Sequence, residues 1–216
     1  MPLASRIHPI RRGRTSHPRH ARRAVGAAFA AVLAVGLTAC APDAVSESFL
    51  NGENTGYVAA DGAIVEIPVA ERGEPVQFGG VTESGDDFDS ADVAGDVTVV
   101  NFWYAGCAPC RLEAADLESV WKTYEDQGVS FIGINTRDQA DTATAFAQEY
   151  GVTYPSLIDV DTAEAKLAFA EAVPISATPT TLVLDKQGRV AAKIIGPIDG
   201  TSVLSTLVKD ALAEDS

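Results

Sequence analysis

Two thiols stand three positions apart in Cys107-Ala108-Pro109-Cys110. That spacing lets one thiolate attack a disulfide in another molecule while the second displaces it. Three chemistries suit such a pair: a redox dithiol, half of a zinc site, or a structural staple. Zinc asks for four nitrogen or sulfur ligands. All three histidines, His8, His17 and His20, lie within the first 23 residues, and the body of the chain has none. A staple across so small a loop would restrict few unfolded conformations, because the entropic effect grows with loop length. The redox reading is therefore favoured. The same lack of histidine excludes Ser-His-Asp triads and Cys-His nucleophile pairs from the body of the chain.

The flanking sequence supplies the elements that must hold this pair. Residues 97–103 (VTVVNFW) are apolar and β-branched without alternation, as in a strand buried on both faces. After a short turn, residues 107–127 show helical spacing, with Leu112, Ala115, Val120 and Tyr124 on the expected buried side and Arg111, Glu118 and Lys122 on the wet one. Pro109 is compatible with a first turn, whose backbone donors are spare. Cys107 then sits at a helix N-terminus, where free N–H groups and the positive dipole end favour a thiolate. A fall in thiol pKa from about 8.5 to about 7 would raise the thiolate fraction at pH 7 from roughly 3% to roughly 50%. Cys110, one turn further in, is expected to be buried, so Cys107 attacks and Cys110 resolves.

Downstream the pattern alternates. Residues 129–135 read as a strand, 139–150 as a helix ended by Gly151, 154–158 as a short strand, and 162–170 as a helix capped by Asp161. Strands at 180–184 and 190–195 flank the turn Asp185-Lys186-Gln187-Gly188, and a last helix covers 200–213. This order predicts an α/β fold with a central mixed sheet flanked by helices.

Composition divides the chain. It is 216 residues long, with 16 Lys plus Arg against 30 Asp plus Glu and a net charge of −14. Seven arginines and no acids fall in the first 23 residues, leaving 9 − 30 = −21 for the remainder, which argues against nucleic-acid binding. The basic stretch ends at Arg22-Arg23 and is followed by a 14-residue apolar run, 24–37, a signal-peptide layout. As a helix that run spans about 21 Å against roughly 30 Å of bilayer hydrocarbon. Leu37-Thr38-Ala39-Cys40 resembles the lipobox of bacterial lipoproteins, which implies cleavage before Cys40 and a lipid on its thiol. Arg22-Arg23 invites comparison with a twin-arginine signal, but Ala24-Val25-Gly26 match that pattern poorly, so ordinary secretion is expected. The expected organisation is a signal peptide over 1–39, lipidated Cys40 with a small, polar tether to 56, and one domain over 57–216. A flexible 16-residue tether reaches roughly 22 Å. The domain is thus expected at the extracytoplasmic face of the cell membrane.

Val99-Val100-Asn101-Phe102-Trp103 leading into Cys107-Ala108-Pro109-Cys110-Arg111-Leu112-Glu113, with Ala177-Thr178-Pro179-Thr180-Thr181 some seventy residues later, resembles the thioredoxin fold. Within it the chain is most similar to the membrane-anchored TlpA/ResA-like thiol-disulfide oxidoreductases, over residues 74–212, with 74–95 resembling that family's extra N-terminal strands. The resemblance implies a cis Pro179 facing the dithiol and a Thr178 backbone that pairs with an incoming polypeptide; a plain proline turn is the alternative for Pro179. It implies that Glu113 exchanges a proton with Cys110, the alternative being a solvated helix glutamate. Trp103 is expected to support the site by packing beneath it. Three positions depart from the wider pattern: Asn101 stands for thioredoxin's buried Asp and cannot take its proton, Gly106 stands for a Trp, and Ala115 for a helix-kinking Pro.

The expected reaction is thiol-disulfide exchange without a cofactor or metal. Ala108-Pro109 brings no cation to the thiolate, which tilts the direction toward a reductant, and the family includes reductants of apocytochrome c. The expected partners are protein thiol or disulfide clients, a membrane thiol electron donor and the membrane itself, with the domain a monomer. A disulfide-forming oxidase of the same fold remains open. So does a thiol peroxidase, although Val100 and Tyr104 replace the Pro and Thr that peroxiredoxins place seven and three residues before their reactive Cys. A non-catalytic lipoprotein with an inert disulfide is a third class. The acidic run Asp86-Asp87-Phe88-Asp89 lacks the ligand order of a calcium loop and reads as solvated surface.

Overall fold

The seven residues of β4 (Val97–Trp103) are all buried, and their alternation decides what lies above and below. Val97 and Val99 face one apolar cluster, and Val100 and Phe102 face another. A strand with two dry faces belongs at the centre of a sheet covered on both sides. The computed structural model describes residues 64–173 and 176–214, all within one compact unit, Asn54–Ser216. The expected signal peptide, Cys40 and the tether lie outside the described residues.

The six-stranded sheet runs β1-β8-β7-β4-β5-β6. Strands β4, β5 (Val129–Asn135) and β6 (Ser156–Ile158) are parallel. Strand β7 (Thr180–Leu184) is antiparallel to β4, β8 (Val190–Ile195) to β7, and β1 (Ile64–Glu66) to β8. A separate hairpin of β2 (Gly79–Val81) and β3 (Asp87–Asp89) reaches β6 through a single bridge, Thr82 to Leu157. Helices α1 (Ala108–Tyr124) and α4 (Ser202–Ala213) cover one face through Leu117, Val120, Leu204 and Val208. The other face is covered by Phe78 of the hairpin segment together with Ala165 of α3 (Glu164–Ala168) and Phe169. Helix α2 (Ala140–Tyr150) ends at Gly151, whose φ of 71° is the left-handed cap that glycine adopts freely.

Two expectations are corrected. Leu112 is 80% exposed and Ala115 is exposed too, while the buried stripe of α1 is Cys110, Glu113, Ala114, Leu117, Val120 and Tyr124. The start of α1 at Ala108 and the seating of Cys110 beside Trp103 set this phase, which turns Leu112 outward. Asp161 does not cap the short α3; Asp159 does, accepting from the amides of Ala165 and Lys166 at 3.0 Å each.

Far along the chain from the dithiol, Arg72 is buried and donates to Asp185 at 2.9 Å and to both carboxylate oxygens of Glu214 at 2.5 and 2.6 Å. This cluster ties the segment after β1 and the end of α4 to the β7–β8 turn.

Candidate active site

The carboxyl ends of β4 and β5 lie side by side, Trp103 level with Asn135. From this end of the sheet the chain makes the turn Tyr104-Ala105-Gly106 and enters α1 with Cys107 as its N-cap. Cys107 and Cys110 form a disulfide, with Cα atoms 5.3 Å apart. The Cys110 amide donates to Cys107 Sγ at 3.2 Å, so a first-turn N–H of the helix points at the Cys107 sulfur. Both residues are buried in the oxidised state, with Ala108 exposed and Pro109 half-buried beside them.

A polar turn after β5 holds the loop. Asp138 Oδ2 accepts from the Ala105 amide at 2.6 Å and from Asn135 Nδ2 at 3.0 Å, while Asn135 Oδ1 accepts from the amides of Arg137 and Asp138. The Arg137 guanidinium lies 4.3 Å from the centre of the Tyr104 ring, and Arg111 donates to the Ala105 carbonyl at 3.1 Å. Sequence reasoning did not single out Asn135, Arg137 or Asp138. A polar Asn-Thr-Arg-Asp run at the carboxyl end of a parallel strand was the available signal, since sites collect there.

Trp103 packs beneath the dithiol, its ring 4.4 Å from that of Phe146 and its indole N–H donating to Ser156 Oγ at 3.2 Å. Gly133 makes room for that contact: a Cβ there would stand 2.2 Å from Ser156 Oγ and 2.7 Å from Trp103 Nε1.

The Thr178–Pro179 bond is cis. Thr180 pairs with Phe102 across β7 and β4, which places Pro179 level with Trp103 at the Cys107 end of the sheet. Pro179 is buried, Thr178 half-buried, and the Pro179 carbonyl accepts from the Gly196 amide at 2.9 Å.

Glu113 is 1% exposed, on the same buried stripe of α1 as Cys110. Asn101 Nδ2 donates to its Oε1 at 3.0 Å and to Thr181 Oγ1 at 3.1 Å, and the Ile198 amide donates to its Oε2 at 2.9 Å. Burial pushes its pKa up to about 7; the Ile198 and Asn101 donors oppose the rise and Asp116 adds to it. Asn101, which cannot take a proton itself, therefore orients a carboxyl that can. The structure brings Cys107, Cys110, Glu113, Trp103 and Pro109 together on β4 and α1, with Thr178 and Pro179 at the same end of the sheet.

The redoxin family model matches residues 67–209. The chain belongs to the redoxin family. It is 27% identical over 136 residues to the thiol-disulfide oxidoreductase ResA of Halalkalibacterium halodurans, covering 62% of this chain and 74% of that protein. It is 32% identical over 112 residues to the thiol:disulfide interchange protein HelX of Rhodobacter capsulatus, covering 51% of this chain and 59% of HelX. The chain likewise spans only 60% of the length of the ResA of Bacillus subtilis. Among solved structures, a secreted thiol-disulfide isomerase from Corynebacterium glutamicum superposes with a TM-score of 0.64 at 30% identity, over 74% of this chain and all of that one. A thiol:disulfide interchange protein of the thioredoxin family from Chlorobium tepidum does so with a TM-score of 0.61 at 32% identity, over 68% and 100%. The fold is thus thioredoxin-like, with β1 as an added N-terminal strand. The class of enzyme, thiol-disulfide oxidoreductase, follows from these relatives and the Cys107–Cys110 pair.

Proposed function

We propose that this redoxin is held at the extracytoplasmic face of the cell membrane by a lipid on Cys40 and reduces disulfides in exported proteins, with apocytochrome c thiols as a client class. The observation that carries the exchange chemistry is the Cys107–Cys110 pair at the N-terminus of α1, with the buried Glu113 carboxyl, its pKa pushed up to about 7, one helical turn beyond Cys110. The Cys107 thiolate attacks a client disulfide, releasing one client thiol and leaving a mixed disulfide. Cys110 gives its proton to Glu113 and attacks Cys107 Sγ; the Cys107–Cys110 bond forms and the second client sulfur leaves with the electron pair. Thr178, beside cis Pro179, offers backbone to the client during exchange, and a membrane thiol donor restores the dithiol. The domain acts as a monomer. The relatives named ResA and HelX support the exchange chemistry.

The midpoint reduction potential of the Cys40→Ser chain, equilibrated in defined thiol buffers, tests the direction. A value near or below about −270 mV is expected, whereas one near −120 mV, roughly 7 kcal/mol more oxidising, would make the protein a disulfide donor. The intact mass of the membrane-extracted protein tests the lipid.

A further inference from the structure

A small cavity of about 10 Å³ lies behind the dithiol, bounded by β4, α1, α2 and the residue pair Tyr154 and Ser156. Its volume is that of roughly one water. Cys110 lines it; Glu113, whose carboxylate is taken up by Asn101 and Ile198, does not. The polar groups on its wall have bonding capacity to spare. Tyr154 is about 95% buried, and its ring packs against Phe131 while its hydroxyl bonds to no other described residue. Ser156 Oγ accepts from Trp103 Nε1 and keeps its own hydrogen to donate. Asn101 directs both Nδ2 hydrogens to Glu113 and Thr181, which leaves Oδ1 open as an acceptor. Among the described residues, every side-chain nitrogen or oxygen that is closed off from water has a partner, so the open Tyr154 and Asn101 oxygens are ones that a water can reach. A water needs two to four polar partners to reside in such a place, and these three groups supply them. At the outer end stands Glu83 of the inserted hairpin, half-buried, its Oε2 accepting from the Ser156 amide at 2.7 Å.

We propose that this cavity is a water site serving Cys110: a water held by Tyr154, Ser156 and Asn101 solvates the Cys110 sulfur as it ionises and leads its proton past Glu83 to solvent. The proposal rests on the reading that Cys110 is the resolving thiol, and it adds a path separate from Glu113. In the step, the Cys110 S–H bond breaks, the proton passes to the water and out to solvent, and the thiolate attacks Cys107 Sγ of the mixed disulfide. The electron pair of the broken bond leaves on the client sulfur. Tyr154 is a positioning residue here, acting through the water. The titratable and charged groups around Cys110 are Arg111, Glu113 and Glu118 of α1, Glu83 of the hairpin and Tyr154; the lining from β4 and α2 is Asn101, Trp103, Ala143, Phe146 and Ala147, none of them ionisable.

The test uses the full chain in detergent with Cys40→Ser and Cys107→Ser, so that Cys110 is the single thiol, and follows its alkylation by iodoacetamide against pH. Tyr154→Phe keeps the ring that packs 5.5 Å from Phe131 and removes the hydroxyl. It is expected to raise the Cys110 pKa by about one unit, making alkylation at pH 7 roughly tenfold slower. Ala147→Leu, which fills the cavity from α2 and removes no hydroxyl, is expected to shift the profile in the same direction and carries the test should Tyr154→Phe fold poorly. Glu113→Gln is measured beside them. If Glu113→Gln moves the profile while Tyr154→Phe and Ala147→Leu leave it in place, the water site is refuted and the Glu113 reading stands. If the cavity variants move it and Glu113→Gln does not, the water site stands and the Glu113 reading fails. Profiles unchanged in all three refute both.

Discussion

Glu113→Gln separates a titrating buried acid from a merely structural one. The carboxyl moves from an ordinary 4.5 to about 7 on folding, a rise of about 2.5 units. A group whose folded pKa is raised binds its proton more tightly in the native state. Its contribution is fully present below pH 4.5 and is lost as pH rises through 7, because the ionised form then sits in a dry site. At 1.36 kcal/mol per unit, the loss is about 3 kcal/mol between pH 4.5 and pH 8. The substituted glutamine cannot ionise, so the variant lacks this slope. It carries a different, pH-independent cost: its amide nitrogen must face Asn101 Nδ2 or the Ile198 amide, both of which are donors, for about 1–3 kcal/mol. Urea unfolding of the oxidised protein at a series of pH values reads both effects. Between pH 5 and pH 8 the loss is about 2.5 kcal/mol, so with a urea m-value of about 2 kcal/mol/M the wild-type midpoint is expected to fall by roughly 1.2 M relative to Glu113→Gln. Two curves that stay parallel across that range would refute the assignment of a neutral-range proton to Glu113.

Three further outcomes are expected. Cys110→Ser is expected to accumulate a stable mixed disulfide with client peptide, visible by intact mass, while Cys107→Ser forms none; the reverse pattern would exchange the roles of the two thiols. Gly133→Ala is expected to lose the Trp103–Ser156 hydrogen bond and about 1–3 kcal/mol of stability through overpacking, read by tryptophan fluorescence and denaturant titration. Arg72→Met is expected to cost about 1–3 kcal/mol, because it leaves the buried Asp185 carboxylate with Arg189 as its remaining cation and strips the half-buried Glu214 of its partner, seen as a lower thermal midpoint with the reduction potential unchanged.

The strands β4, β5 and β7 were legible because burial leaves a mostly apolar run, and β8 because the turn Asp185-Lys186-Gln187-Gly188 returns the chain beside β7; all four have the expected limits. The dithiol and the Thr-Pro element were legible because their chemistry is local to a few residues. The phase of α1 was not, because a hydrophobicity rule assigns Leu112 inward and Glu113 outward. The reverse holds: the helix turns about its start at Ala108, and Asn101 and the Ile198 amide supply the hydrogen bonds a buried carboxyl requires. Counting in steps of three and four from Cys110 reaches 113, 114 and 117, which recovers the true stripe. The cap of α3 was misplaced by two residues, since Asp159 reaches six and seven positions ahead and no short-range capping pattern describes it. The Arg72 cluster joins residues 113 and 142 positions apart and left no local trace.

Among the described residues the outermost strands of the sheet, β1 and β6, are three residues each, and β6 is further covered by the bridge from Thr82. Long bare sheet margins invite neighbouring copies to add strands and aggregate. Such short margins offer a neighbour little main chain, so molecules crowded two-dimensionally on a surface, as the proposed lipid anchoring would leave them, are protected from polymerising through their sheets. In the proposed reading, backbone pairing with another polypeptide is then left to Thr178, where it would lead to exchange with the dithiol and end in release.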